Sequence, residues 1–397
     1  MSKDRWRRAG SALRVIFVTA VLFTLAVPAA YAETHSSHSQ LSPVEQLGKY
    51  IFFDKTLSEP RGQACAACHG PTVGFTGPDW RINAAGAVYQ GAVRGRFGNR
   101  KPPSAAYAGD SPIFGKPSDF VGGMFWDGRA TGWTLGDPLS EQAMGPFLNP
   151  LEQNNPGKWA VVSKVAKSRY ACLFVSVWGA DAFKDTDTAY AYIARSIAAY
   201  ERSAEVSPFN SRYDTYLRTG TGLTAQERNG LALFTGKAQC TTCHTATGPN
   251  PAFTDYSYAN IGVPKNPLNP FYSELEFNPA GASWIDPGLG GFLATTAGSM
   301  HDYSSDAAAN MGMFKVPTLR NVDKRPYPMF VKAYGHNGYF KSLEEVVHFY
   351  NTRDLPTAGW PAPETAANLE TGTVGNLGLT PVEEQAIVAF LKTLSDR

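Results

Sequence analysis

The sequence lacks any block of basic residues beyond its first 32 positions, and it lacks a second long apolar run. Residues 1–32 hold five basic residues and one acidic residue, so without them the formal net charge of +2 becomes −2. A chain with this charge and no basic patch is not expected to bind nucleic acid. With no further long apolar run after Glu33, no membrane span is expected in the rest of the chain.

Basic residues at the N-terminus precede the single apolar run, Val15 to Val27, which is followed by small residues at positions 30 and 32. This order is typical of a secretory signal peptide, here residues 1–32, cut before Glu33. The alternative is an uncleaved membrane anchor, but the run is shorter than the roughly 20 residues that a span needs. We therefore expect an exported protein with no stable membrane span after cleavage.

Four of the 5 cysteines stand in two short repeats, QACAACHG at 63–70 and QCTTCHT at 239–245. In an exported protein, paired cysteines can indicate disulfides. Structural zinc usually draws its two cysteine pairs from nearby positions, whereas these pairs lie far apart in the chain. A thioredoxin-like redox motif requires a βαβ pattern, and neither repeat has one around it.

A histidine directly follows each CxxC pair, and this order is the attachment signature of c-type haem. The cysteines form thioethers with the haem, and the histidine lies beneath the iron as the proximal ligand. Two such motifs predict two covalent haem c groups. The attachment residues are Cys65, Cys68 and His69 in the first motif and Cys240, Cys243 and His244 in the second. Because bacteria attach haem c outside the cytoplasm, the motifs agree with export and predict a periplasmic protein.

The sequence predicts a helix before each motif, with the same N-terminal pattern in both. SPVEQLGKYIFF precedes the first and TAQERNGLALFTG the second, and each begins with a capping box, Ser or Thr followed by Glu three residues later. TAYAYIARSIAAYERSAEV predicts a long amphipathic helix between them, and Thr380 with Pro381 begins a closing helix. These features predict a mainly α fold with two cytochrome c-like domains, 33–206 and 207–397, each with a covalent haem c, joined by long irregular loops.

The fifth cysteine, Cys172, falls in the apolar run ACLFVSVW and is expected to be a buried core thiol. The stretch from Gly70 to Gly123 contains no histidine and no methionine, so it supplies neither of the usual strong second axial ligands to the first haem. Tyr89 and Tyr107 are other candidates, although a surface or core role is the simpler interpretation of each. We expect the first haem to be five-coordinate and reactive.

Four longer motifs are also informative: FWDGRA at 125–130, EQAMGPFLNPLEQ at 141–153, FKVPTLRNV at 314–322 and HNGYFKSLEEVVHFYN at 336–351. Together with the two haem motifs and their order, the chain resembles the bacterial dihaem cytochrome c peroxidase and MauG superfamily over nearly its whole length after residue 32. The resemblance implies an enzyme that activates hydrogen peroxide at one haem and exchanges electrons through the other.

Position by position, the resemblance assigns Gln142, Pro146 and Glu152 to the distal pocket of the first haem. Glu152 would be the acid–base group, because one proton must leave the bound peroxide oxygen and arrive on the departing one. Without the resemblance, Glu152 is better interpreted as an ordinary exposed loop carboxylate. Trp126 matches the tryptophan that relays electrons between the haems, a role that is compatible with core packing.

The resemblance also implies a calcium ion between the domains, held by an asparagine side chain, backbone carbonyls and water; oxygen ligands suit calcium. Asn99 is the candidate side chain, and the carbonyls near Lys324 and Pro326 are further candidates. Asp127 and Arg129 are expected to hold the structure around the tryptophan.

The chain departs from the superfamily pattern at both haems. Bacterial cytochrome c peroxidases commonly carry a histidine after the first motif that blocks the iron until the second haem is reduced. The corresponding stretch, GAVRGRFGNRKPPS, has none, so such a switch should be absent. Fourteen residues after His336, where those peroxidases carry a methionine ligand to the second haem, this chain has Tyr350, as MauG-like enzymes do. His348, Met311 and Met313 are rival ligands, and a buried aromatic on a helix is the simpler interpretation of Tyr350.

Two further departures concern length: TGWTLGDP at 131–138 lengthens the segment between Trp126 and Gln142 relative to many members of the superfamily, and the Gly-, Pro- and Asn-rich region 246–312 is long. Loops of such length are often functional or disordered. Either segment could shape an entrance or a partner surface.

The leading hypothesis is a MauG-like dihaem oxidoreductase that activates hydrogen peroxide at the first haem and oxidises a protein or cytochrome donor through the second. The next is a dihaem cytochrome c peroxidase that detoxifies peroxide with electrons from a small donor protein. The third is a dihaem electron carrier without catalysis. The missing ligand and Glu152 count against the carrier, and Tyr350 in place of methionine favours the MauG-like enzyme.

Overall fold

The computed structural model describes residues 40–397, and in that range the chain is mainly α-helical. The predicted signal peptide at 1–32 lies outside the described residues. No helix among those described is long and apolar enough to cross a membrane. The helices are α1 (Pro43–Phe52), α2 (Trp80–Ala84), α3 (Pro138–Leu148), α4 (Lys158–Ala166), α5 (Ala171–Trp178), α6 (Thr186–Arg202), α7 (Arg212–Thr219), α8 (Ala225–Thr235), α9 (Gly288–Ala294), α10 (Leu343–Thr352) and α11 (Pro381–Lys392). The short strands β1 (Tyr258–Ala259) and β2 (Phe314–Lys315) pair antiparallel.

The helices that lead into the two haem motifs begin at the predicted capping boxes. At α1 the backbone N–H of Ser42 donates to Glu45 at 2.7 Å. At α8 the backbone N–H of Thr224 donates to the carboxylate three residues later at 2.8 Å. The predicted long helix is α6, and the predicted closing helix is α11, with Thr380 as its N-cap. These four predictions are confirmed.

Two close helix crossings support the haem motifs. α1 packs against α6, and α8 packs against α11. A Cβ added at Gly48 of α1 would lie 1.8 Å from the Ser196 carbonyl oxygen, and one added at Gly230 of α8 would lie 1.9 Å from the Ala386 carbonyl oxygen. Only glycine permits such contact between a helix and the backbone of its partner. The same construction therefore precedes both motifs.

Two large apolar clusters lie around these crossings. The buried members of the first come from residues 47–206, and those of the second come from residues 213–394. A motif cysteine packs against each, Cys65 against the first and Cys240 against the second. The domain border between residues 206 and 207 stays a prediction.

The prediction for Cys172 is wrong, because its side chain is exposed. The apolar run forms α5, in which only Phe174 is buried. A short helix on the surface turns one side to the core, and Cys172 lies on another. An apolar run alone does not show which of its residues face inward.

The two long segments contact each other. Trp133 of the first stacks on His301 of the second, with ring centroids 4.1 Å apart. The Trp133 indole N–H also donates to the Phe114 carbonyl at 3.0 Å. At the start of α3, Glu141 accepts backbone N–H groups from residues 132, 134 and 135. Packing and hydrogen bonds thus hold the segment 131–138 in one conformation.

We expect Gly48→Ala to lower the free energy of unfolding by about 1–3 kcal/mol or more, because the added methyl group would force α1 away from the α6 backbone. Denaturant unfolding of the holoprotein measures this change. Gly115→Ala is the matched control, since a Cβ there would have no atom within 4 Å. Equal stability of the two variants would contradict the close crossing.

Candidate active site

The first haem motif forms a tight turn at the wall of a cavity. Cys65–Ala67 make a short turn of 3₁₀ helix, and the backbone N–H of His69 donates to the Cys65 carbonyl at 3.0 Å. Nδ1 of His69 lies 3.1 Å from the Phe75 carbonyl oxygen, a contact that requires the proton on Nδ1 and leaves the lone pair on Nε2. Burial lowers the pKa of His69, which favours the neutral ring. Metal-ligating histidines are commonly held in this way.

The second motif repeats this geometry. Cys240–Thr242 make the same short turn, and the backbone N–H of His244 donates to the Cys240 carbonyl at 2.9 Å. Nδ1 of His244 lies 2.9 Å from the Phe253 carbonyl oxygen. Burial lowers the pKa of this imidazole too. Burial therefore favours the neutral form of both rings, and each is oriented by a carbonyl with its Nε2 lone pair available to a metal.

Each motif borders a large cavity. Counting the space open to solvent, the first cavity encloses about 1180 Å³ and the second about 1550 Å³. None of the four motif cysteines forms a disulfide. Two free thiols and an imidazole beside a cavity fit haem c in both places.

The structure brings together at the first cavity the three residues that the resemblance assigned to one pocket. Gln142 and Pro146 lie on α3, Glu152 lies in the turn that follows, and all three border the cavity. The Asn149 amide donates to the Glu152 carboxylate at 2.7 Å. Burial raises the pKa of Glu152, while Arg129 and the bond from Asn149 act against the rise. Sequence reasoning missed Asn149, which orients the carboxylate.

Trp126 borders both cavities, as Lys101 does. The indole N–H of Trp126 donates to the Lys101 carbonyl at 2.8 Å. The ring is buried, with 8% of its surface exposed. A single oriented aromatic ring thus forms part of the wall of each cavity.

Ion pairs hold the loop that carries this tryptophan. Arg100 contacts Asp127 at 2.7 Å and Asp286 at 2.6 Å. Arg129 contacts Asp127 at 2.7 Å. Burial acts to raise the pKa of Asp127, but the charges and hydrogen bonds of the two arginines hold this pKa below its usual range. Asp127 and Arg129 therefore make the contacts expected of residues that hold this loop, and Arg100 ties the loop to the region 246–312.

Tyr350 lies on α10 and borders the second cavity. Burial raises the pKa of its hydroxyl. Among the rival ligands, His348 is exposed and pairs with Glu384 at 3.0 Å. Neither it nor Met311 nor Met313 borders the second cavity. The role of Tyr350 as an iron ligand stays a prediction, but of the four candidates it is the one at the cavity.

The two tyrosines considered for the first haem have protein partners. The Tyr89 hydroxyl, beside the first cavity, accepts the backbone N–H of Asp79 at 2.8 Å and donates to the Asn83 side chain at 3.1 Å. The Tyr107 hydroxyl donates to Asp396 at 2.7 Å, and the residue does not border the cavity. Both hydroxyls are thus engaged in structural hydrogen bonds.

Two of the residues predicted to bind calcium, Asn99 and Lys324, have backbone carbonyls that accept hydrogen bonds. Asn99 borders the first cavity, and its carbonyl accepts the Asn269 amide at 2.9 Å. The Lys324 carbonyl accepts the Lys332 ammonium at 2.9 Å, and Pro326 is exposed. Within residues 40–397, no group of three or more His, Cys, Asp or Glu side chains could hold a metal ion. Calcium stays a prediction, and the Lys324 carbonyl does not fit it, because this carbonyl already accepts an ammonium.

Three polar side chains of the first cavity were missed from the sequence. The Gln63 amide lies 3.9 Å from the Cys68 sulfur, and the Gln153 amide lies 3.9 Å from the Cys65 sulfur. An oxygen of each amide and one of Glu201 are buried without a hydrogen-bond partner among the described protein atoms. Unpaired buried oxygens beside a cavity indicate a group that is not protein. Gln63 stands within the first repeat, but no local pattern marks Glu201 on α6.

Comparison with known proteins gives one consistent result. Residues 42–221 match the family model of di-haem cytochrome c peroxidases. The chain is 34% identical to the methylamine utilization protein MauG of Paracoccus denitrificans, with 88% of this chain and 88% of that protein covered. It is 29% identical to a cytochrome-c peroxidase of Denitromonas iodatirespirans, with 88% and 81% covered. Among solved structures, the diheme peroxidase BthA of Burkholderia thailandensis is similar at 31% identity and a TM-score of 0.72, over 90% of this chain and 87% of that one.

Burial raises the pKa of Glu201 from 4.5 to about 8. The folded state therefore keeps this proton to higher pH than the unfolded chain, so the stability that Glu201 contributes is complete below about pH 4.5 and is lost as the pH rises towards 8. The loss is at most roughly 1.4 kcal/mol per pH unit. We expect Glu201→Gln to remove this decline, which denaturant unfolding of both holoproteins from pH 5 to 8 would measure. A difference that stays constant with pH would contradict the raised pKa.

Proposed function

Because the chain belongs to the dihaem cytochrome c peroxidase family and is a peroxide-dependent haem oxidoreductase, we propose that it activates hydrogen peroxide at the first cavity and oxidises a protein or cytochrome donor through the second. Bound haem c supplies the redox-active iron in each. The observation that carries the proposal is the unequal lining of the cavities, with Gln142 and Glu152 at the first and Tyr350 at the second. The halves 33–206 and 207–397 would each be a cytochrome c-like domain.

At the first cavity, Glu152 moves the proton. Its carboxylate takes the proton from one peroxide oxygen and returns it to the other, which departs as water. Asn149 holds the carboxylate in place through the 2.7 Å hydrogen bond. The Gln142 amide orients the peroxide by donating an N–H group to it. Pro146 has no backbone N–H and so adds no competing donor to this wall.

Trp126 carries oxidising equivalents between the cavities, since it borders both and is oriented by the Lys101 carbonyl. With haem c bound, Tyr350 would hold the second iron through its oxygen once the hydroxyl proton is released. An anionic oxygen would favour the oxidised state, whereas methionine raises the potential of haem iron, so this site would accept ordinary electrons poorly. This favours a MauG-like enzyme over a detoxifying peroxidase.

We propose another redox protein as the donor, and export to the periplasm directed by residues 1–32. The alternative is a dihaem cytochrome c peroxidase that detoxifies peroxide. Rapid turnover of peroxide with a reduced small cytochrome, dependent on prior reduction of the holoprotein, would support that alternative. Peroxide consumption by the fully oxidised holoprotein would support the MauG-like function.

Glu152→Gln should slow the reaction of the holoprotein with hydrogen peroxide about 10²–10⁴-fold, because an amide cannot carry the proton. Stopped-flow absorption of the haem bands measures this rate. Glu276→Gln is the control, since Glu276 is an exposed carboxylate whose contact is Arg96 at 3.5 Å. An unchanged rate in Glu152→Gln would remove this residue from the mechanism.

The electron paramagnetic resonance spectrum of the oxidised holoprotein should contain one high-spin and one low-spin haem signal. Tyr350→Phe should abolish the low-spin signal, because phenylalanine has no oxygen to bind the iron. His348→Phe is the matched control on the same helix, and it should keep the signal because His348 faces solvent. A low-spin signal that survives in Tyr350→Phe would show that another residue is the ligand.

A further inference from the structure

Lys332 is buried, and its ammonium pairs with backbone carbonyls rather than with a carboxylate. Only 4% of its surface is exposed. It donates to the carbonyl oxygens of Val73 at 2.9 Å, Asn321 at 3.0 Å and Lys324 at 2.9 Å. An ammonium has three N–H donors and no acceptor, so three carbonyls satisfy it completely. Buried lysines are rare unless they are paired, and this one is paired by the main chain.

The three carbonyls come from distant parts of the chain. Val73 lies just after the first haem motif, whereas Asn321 and Lys324 lie in and just after the FKVPTLRNV segment. Lys332 itself borders the second cavity. One ammonium therefore ties the loop after the first motif to the wall of the second cavity.

Lys101 places a second amine close by. It is 8% exposed, and its ammonium donates to the Thr76 hydroxyl at 3.0 Å and the Pro102 carbonyl at 2.9 Å. Burial and the like charge of Lys101 act to lower the pKa of Lys332. The three carbonyls act against this, because a neutral amine has two N–H groups for three acceptors.

We propose that Lys332 is a built-in cation that takes the place of the calcium ion implied by the resemblance, so that the protein joins its two haem regions without bound calcium. A calcium ion and a buried ammonium can both be bound by several backbone carbonyl oxygens that point to one place. The Lys324 carbonyl, a predicted calcium ligand, is one of the three that Lys332 occupies. The ammonium would repel a divalent ion placed beside it. Because Lys332 borders the second cavity, its positive charge acts on that cavity in place of the charge of calcium.

The first test is the calcium content of the purified holoprotein, measured by mass spectrometry of the metals after dialysis in calcium-free buffer. We expect far less than one calcium ion per chain. Neither EGTA nor added calcium chloride should change the thermal midpoint or the haem absorption. One calcium ion per chain, removed by EGTA with a fall in the midpoint, would overturn the proposal. This measurement decides the question on the wild-type protein, whether or not any variant folds.

Lys341 offers a matched control for the charge of Lys332. Its ammonium also donates to three carbonyls, those of Asn83, Ala85 and Gly338, at 2.8, 2.7 and 2.6 Å, but it borders neither cavity. Lys332→Met and Lys341→Met should both lower the thermal midpoint. Only Lys332→Met should lower a haem reduction potential in redox titration, because loss of a buried positive charge stabilises oxidised iron. Wild-type potentials in Lys332→Met would overturn the role of its charge.

Discussion

Carbonyl groups of buried loops need hydrogen-bond donors, and in this protein polar side chains supply many of them. The Asn260 amide donates to two carbonyls of the loop 365–367, and the Asn337 amide donates to the Pro264 carbonyl. Lys332 and Lys341 each satisfy three more. In a chain whose only strands among residues 40–397 are two residues long, these amides and ammonium groups replace the backbone pairing of a sheet. The loops are ordered because their donors are side chains.

The two cavities are built alike and lined differently. Each has a capped helix, a glycine crossing, a tight CxxC turn and an imidazole held by a carbonyl. The difference comes from particular side chains in their walls. Gln142, Glu152 and Glu201 line the first cavity, whereas Tyr350 lines the second. Trp126 lies in the walls of both cavities, so one oriented ring borders two cavities with different linings.

Local signals in the sequence predicted local structure well. Each haem motif and each capping box consists of residues only a few positions apart; the capping boxes are confirmed, and each motif forms the same short turn. The superfamily motifs placed Gln142, Pro146 and Glu152 at one cavity, although their chemical roles are still untested. Features that depend on contacts between distant segments were not predictable. Gly48 matters because Ser196 lies against it, and Glu201 matters because a cavity lies beside it; neither neighbour can be found from spacing along the chain. The prediction that Cys172 is buried was wrong for the same reason, since the helices around α5 determine which side of it meets the core.

The ammonium of Lys332 differs from a calcium ion in one physical respect: it is part of the chain and cannot dissociate. The chain also has no histidine between residues 70 and 123 that could block the first iron. With Lys332 in place of calcium, no bound calcium ion can dissociate and change the charge around the cavities. With no histidine in residues 70–123, no imidazole of that segment can be displaced from the first iron. Protons are available, because burial brings the pKa of Glu201 to about 8, that of Lys101 to about 8 and that of Lys315 to about 7. As the pH rises, the first gains a negative charge and the two lysines lose positive charge. All three changes make the cavity walls more negative, so the titration of these three groups favours oxidised iron as the pH rises.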